Sequence, residues 1–191
     1  MTRNYTLKKR AEKQAQTRQR IVEATFDLHG SVGPAQTTLS MIAEKAGVQR
    51  HTLYAHFKDE RSLFEACSGL HLERSPLPDA ENWRQINDID RRLRVGLSEL
   101  YDWYGRNADI VGSVLRDAQV HDLTRETVAV SIVPYMNACR DVLAETLTKQ
   151  QTAVLELALS FHTWQTLVQE QGLQSAEAAE VMARTVRCAA F

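Results

Sequence analysis

Proline and glycine are scarce in this chain, four and eight among 191 residues. Three prolines stand at joints (Pro34, Pro76 and Pro78), and Pro134 alone falls inside a helical stretch. Strand-like alternation is missing, and almost every segment carries helical periodicity. Cysteine is sparse and odd in number. Cys67, Cys139 and Cys188 lie far apart with no CxxC or Cys/His ligand spacing, which argues against a disulfide framework and fits a reducing cytosol. No apolar run approaches membrane-spanning length, and the first residues are charged rather than apolar. Neither a membrane span nor a signal peptide is read, and the expectation is a cytoplasmic protein with no membrane partner. No repeat or low-complexity segment appears.

The formal net charge of −1 says nothing about partners, but its distribution does. Residues 1–61 hold eleven Lys/Arg against six Asp/Glu, a charge of +5, and the remainder carries −6. A basic head on an acidic body points to a polyanion. A solvated basic tail fits the same numbers.

Residues 1–16, MTRNYTLKKRAEKQAQ, read as a basic flexible arm. Thr17 opens a helix with Ile21, Val22, Thr25, Phe26 and Leu28 on one stripe, ended at Gly30. Thr38 caps LSMIAEKA, and Gly47 stops it in the left-handed conformation. A short third helix runs from about Arg50 to Phe57, and Asp59 caps a fourth. Ser75 to Asp79, SPLPD, breaks the chain and separates residues 17–74 from residues 79–191. Beyond it, amphipathic helices fall near 86–105, 107–119, 124–148, 150–171 and 175–190, with Gly172 a clear stop.

The stretch VQRHTLYAHF, Val48 to Phe57, gathers an Arg, two His and a Tyr. On a helical wheel Leu53 and Phe57 fall together and face a core, while His51 and Ala55 lie opposite. Tyr54 and Lys58 flank that outer face on one edge, Thr52 and His56 on the other. His51 and His56 are five apart, about 140° around the helix, so they cannot share a metal ion as an i,i+4 pair does. Catalysis needs a nucleophile, an orienting base and a sheltered pocket, and none is visible. No enzyme activity, metal or cofactor is expected. A helix presenting such groups suits the major groove of DNA. With the preceding helix and its Gly turn it makes a helix-turn-helix, the motif spanning about 38–57.

TTLSMIAEKAGVQRHTLYAHFKDERSLFEA, residues 37–66, resembles the DNA-binding segment of the TetR family of bacterial transcriptional regulators. Thr38, Ile42, Ala43, Ala46, Gly47, Val48, Thr52, Leu53, Tyr54, His56, Phe57 and Leu63 stand at the family's spacing. Three departures are visible. Gln49 replaces the usual capping Ser, His51 replaces a frequent Gly, and Glu60 stands where Lys is common, with Lys58 or Arg61 as substitute cations. The resemblance implies an all-α chain: an N-terminal three-helix helix-turn-helix domain plus a C-terminal helical ligand-binding and dimerisation bundle. It implies Arg50 and His51 at base edges, and Thr38, Thr52, Tyr54, His56 and Lys58 on phosphates, with Gln49 at the helix start.

By the same resemblance the protein is a homodimeric repressor on an inverted-repeat operator, released by a small-molecule effector. The alternative is an architectural DNA-binding protein without effector control. The last two helices are the expected dimer interface. Leu155, Leu159, His162 and Thr166 form one stripe there, and Leu157, Phe161, Trp164 and Val168 another. Ala176, Ala179, Met182, Ala183 and Val186 suit close helix packing. Trp103, Tyr104, His121, Tyr135, Phe161, His162 and Trp164 are candidate lining for a pocket opened by a kink at Pro134, which would take an apolar or aromatic effector. Aromatic residues at helical spacing are equally plain core.

Overall fold

A computed structural model describes residues 2–189, with side chains from residue 7 onward. The first residues of the expected arm, Arg3 among them, and the last two residues therefore lie outside the side-chain description. Every regular element among the described residues is helical, and the chain divides into two units.

The first unit holds residues 1–74 and 113–127. Helix α1 (Thr2–Ser31) leads through a 3₁₀ turn (Pro34–Gln36) to α2 (Leu39–Lys45), α3 (Arg50–His56) and α4 (Glu60–Arg74). The segment read as a flexible arm thus continues the first helix. Its Lys, Arg, Ala, Gln and Glu residues favour helix, and no breaker interrupts them. Thr17 does not open the helix; its hydroxyl donates back to the Lys13 carbonyl at 2.9 Å, as a mid-helix Thr does. Nor does Gly30 end it. The chain turns at Gly33, whose φ of 95° needs a glycine. Ile21, Val22, Ala24, Ile42, Ala43, Ala46, Leu53, Phe57, Leu63 and Leu70 close the core, with α1 packed on α2, α3 and α4. Residues 113–127, which the sequence reading assigns to the later helices, join this unit: Asp117 accepts the Ala35 backbone N–H at 2.8 Å.

The second unit holds residues 75–112 and 128–191. It contains α5 (Ala80–Arg84), most of α6 (Ile89–Asp117), the end of α7 (Asp122–Ser131), α8 (Val133–Leu143), α9 (Lys149–Leu159), α10 (Phe161–Trp164), a π-helical turn (Gln165–Glu170) and α11 (Ser175–Cys188). The helices expected at 86–105 and 107–119 are one element, bent at Asn107 (φ −123°). There the Asn107 side-chain amide donates to the Trp103 carbonyl at 2.7 Å, competing with the backbone ladder. The helix expected over 124–148 is two. Pro134 sits in the first turn of α8, where its missing N–H costs nothing, so it starts a helix rather than kinking one.

The helix expected over 150–171 breaks at Ser160, which is extended at φ −69° and ψ 133°. Carbonyls near the end of α9 find other donors: the Tyr101 hydroxyl donates to Ala158 at 2.8 Å and the Tyr104 hydroxyl to Leu159 at 2.7 Å. The break resets the helical wheel, so the two expected stripes do not persist. Leu155, Leu159, Phe161 and Trp164 are buried, while Leu157 and His162 are exposed. Along α11, which packs on α9, Ala179, Met182, Ala183 and Val186 are buried within the chain and Ala176 is exposed. Gly172 stops the preceding turn at φ 76°, as its sequence position suggests.

Candidate nucleic-acid interface

Local chemistry sets the pose of α3. The Thr38 hydroxyl accepts the Met41 N–H at 3.2 Å and starts α2. At the other end, Val48 N–H reaches the Ala43 carbonyl at 2.9 Å and Gly47 N–H reaches that of Glu44 at 3.0 Å. This pair of bonds is the Schellman closure, and it requires the left-handed φ of 64° at Gly47. Gln49 then precedes α3 with no side-chain cap bond, consistent with its poor capping chemistry. Asp59 caps α4, taking the Ser62 N–H at 2.8 Å, and that bond holds its carboxyl below the ordinary range.

Two apolar anchors fix the roll of α3. Leu53 and Phe57 are each 2% exposed. Gln49, Arg50, His51, Tyr54 and Lys58 consequently stand in solvent, with Thr52 and His56 partly buried on the flank and Thr38 exposed at the start of α2. An Arg50 guanidinium nitrogen lies 3.4 Å from the Tyr54 hydroxyl one turn on, so the two side chains share one edge. Neither suggested substitute for the cation missing at Glu60 is unengaged: Arg61 is bonded to Glu126, and Lys58 lies 3.8 Å from Asp59. Among the described residues no group of three His, Cys, Asp or Glu is placed to hold a metal.

The pocket candidates do not form one group. Trp103, Tyr104, Phe161 and Trp164 make a close aromatic cluster in the second unit, with ring centroids 5.4 Å apart for Tyr104–Phe161 and 5.2 Å for Phe161–Trp164. Tyr135 lies partly buried in the same unit, whereas His162 is exposed because the Ser160 break turns it outward. The Trp164 indole N–H and the Tyr135 hydroxyl are buried without a hydrogen-bond partner, the latter beside the weak Cys139 thiol. His121 belongs to the first unit, its Nδ1 2.7 Å from the Thr124 hydroxyl and its ring 5.9 Å from Phe64.

That last contact belongs to a cluster the sequence did not disclose. His29 is 4% exposed, packs against Phe64 with its ring tilted and centroids 4.7 Å apart, and lies 3.7 Å from the Cys67 sulfur. Burial first, and His121 second, lower its pKa to about 4. Burial also pushes the Cys67 thiol up to about 12, which leaves it a packing residue without thiolate reactivity. The residues come from α1, α4 and the 113–127 segment, so no local pattern announces the group.

The arrangement defines a helix-turn-helix protein with a helical second domain. A family model described as bacterial regulatory proteins, tetR family, matches residues 21–67. Through this unit the chain is similar to the TetR family. The HTH-type transcriptional regulator SrpR of Pseudomonas putida is 37% identical over 59 residues, which are 31% of this chain and 28% of that protein. The tetracycline repressor protein class C of Escherichia coli is 32% identical over 74 residues, 36% of this chain and 33% of the repressor. The matched region thus spans about a third or less of each relative's length. A tetR-family transcriptional regulator from Streptomyces coelicolor shares the fold over 92% of this chain and 80% of its own, with a TM-score of 0.63 and 17% identity. Among the described residues no helix is long and apolar enough to cross a membrane.

Proposed function

We propose that the protein is a cytoplasmic transcriptional repressor. It binds an inverted-repeat operator as a homodimer and is released by a small apolar or aromatic effector. The observation that carries this reading is the outward face of α3: Leu53 and Phe57 lock one side into the core and leave Arg50, His51, Tyr54 and Lys58 in solvent. In this reading Arg50 and His51 meet base edges, Arg50 favouring guanine. Thr38, Gln49, Thr52, Tyr54, His56 and Lys58 hold the backbone. Repression is what the name of the tetracycline repressor states of that relative.

Dimerisation through α9 and α11 is supported by Leu157 and Val181, 60% and 46% exposed on these two packed helices. A two-fold pair would set its recognition helices about 34–36 Å apart, one turn of DNA. Effector binding is supported by the aromatic cluster and its buried Trp164 N–H, a donor without an acceptor. Release then requires that the effector bind the DNA-free state better, by the same factor that DNA disfavours it.

The test is selection of bound duplexes from a random pool by the purified protein at near-physiological salt. An enriched inverted repeat is expected. Binding that is equal on all sequences would replace this reading by that of an architectural protein.

A further inference from the structure

We infer that the amino-terminal part of α1 is a second DNA-contacting surface, a helical stripe of cations that grips the sugar–phosphate backbone beside the bases reached by α3. It rests on the DNA-binding reading above and adds a contact outside the helix-turn-helix motif.

The helix continues without interruption from Thr2 into the packed part of the first unit, so its faces keep their register. At about 100° per residue, Lys9, Lys13, Gln16 and Arg20 fall within about 60° of one another. Arg20 anchors this stripe to the motif. Its guanidinium lies 3.7 Å from where a Cβ on Gly47 would stand, beside the turn that leads into α3. Lys13, Gln16, Thr17, Gln19 and Arg20 line one shallow surface depression. Arg10 borders the stripe on the Thr17 side. From Arg20 to Lys9 is eleven residues, about 16 Å of helix, or about half a turn of B-DNA.

Lys9, Arg10 and Lys13 are all exposed. Lys8 differs: it stands about 100–140° around the helix from Lys9, Arg20 and Lys13, so its charge lies off this face. Arg18, on the opposite side of α1 from Arg20, is spent on the Phe57 ring at 4.9 Å. The exposed cations Lys9 and Lys13 thus share the face of α1 that carries Arg20, beside the turn before α3. That pattern fits a polyanion of fixed spacing.

The experiment measures binding of the full-length protein to its selected operator duplex by fluorescence anisotropy across a series of salt concentrations. The triple variant Lys9→Gln/Arg10→Gln/Lys13→Gln keeps good helix formers at exposed sites, and far-UV circular dichroism checks that the helix remains. The slope of log affinity against log salt should become shallower by about 0.9 for each phosphate no longer neutralised, up to three per protomer, while the preference for operator over random duplex stays within about twofold. Among single variants, Lys13→Gln should weaken binding several-fold more than Lys8→Gln.

An unchanged slope with a folded triple variant overturns the inference. Equal weakening by Lys8→Gln and Lys13→Gln also overturns it, since it indicates a featureless basic tail. Failure of the unmodified protein to bind any duplex would sink the DNA reading itself, which separates the two failures.

Discussion

In the first unit the side chains that carry chemistry are turned out of the fold: Tyr54 is 50% exposed on a helix of seven residues whose anchors are Leu53 and Phe57. In the second unit the larger aromatics are turned in, with Trp83, Tyr101, Tyr104 and Trp164 each at most 5% exposed. Both units are helical, so the difference lies in which side chains each core leaves in water. A surface that meets a hydrated polyanion can leave its donors in water until the partner arrives. A core that buries a Trp N–H without an acceptor forgoes a hydrogen bond worth about 1 kcal/mol or more. That omission stands out in the second unit because buried charge there is matched. Arg92 shows the contrast. Only 7% exposed, it donates to the Ile86 carbonyl at 2.8 Å and to Glu145 at 2.7 Å.

The comparison can be broken most directly at Trp164. Trp164→Ala should destabilise the protein by about 3–5 kcal/mol through the cavity it leaves, read as a lower urea midpoint. Trp164→Phe should retain most of that stability, because the N–H it removes has no partner. An equal loss from both would mean that the indole nitrogen is engaged after all.

A second lever is pH. His29 titrates near 4 when folded and near 6.5 when unfolded. A lowered histidine pKa means the unfolded chain binds the extra proton first. Its contribution is therefore complete above about pH 6.5 and falls progressively to pH 4, by about 3 kcal/mol in all. His29→Leu should flatten that part of the urea-midpoint profile. A profile unchanged by the substitution would show that other groups set it.

Smaller effects sharpen the outward-facing side of the contrast. Arg50→Ala should weaken operator binding by about 1–3 kcal/mol and relax one base position, with stability unchanged, in a competition assay over single-base operator variants. Gly47→Ala should cost about 1 kcal/mol of folding free energy, measured by chemical denaturation. Its φ is strained for any side chain, but the nearest atom to the added carbon is 3.7 Å away and the space is open.

The same contrast explains how much of the molecule is legible in the sequence. The helix-turn-helix is written in short-range chemistry: Thr38 and Asp59 as caps, Gly47 as the left-handed stop, and Leu53 and Phe57 one turn apart. Each of these acts within four residues of itself, so a linear reading finds it. The breaks at Asn107 and Ser160 depend on side chains that serve the backbone, Asn107 from within its own helix and Tyr101 and Tyr104 from a distant one. Periodicity alone runs straight through them. Pro134 is visible but ambiguous, since a proline marks a helix start or a kink and the choice rests on its neighbours. His121 falls in with the aromatics of the other unit on sequence alone, because nothing near it in the chain names Phe64 and His29 as its neighbours.

The return of residues 113–127 to the first unit has a consequence for the protein's birth on the ribosome. Residue 74 emerges long before the carboxylate of Asp117 that receives the Ala35 N–H. At about 5–20 residues per second, some 2–9 s separate the two events. During that interval α3 exists on a unit that lacks one of its own walls. A fragment ending at Arg74 would hold the nascent chain in that state permanently, so the smallest complete form of the first unit is longer than its helix-turn-helix.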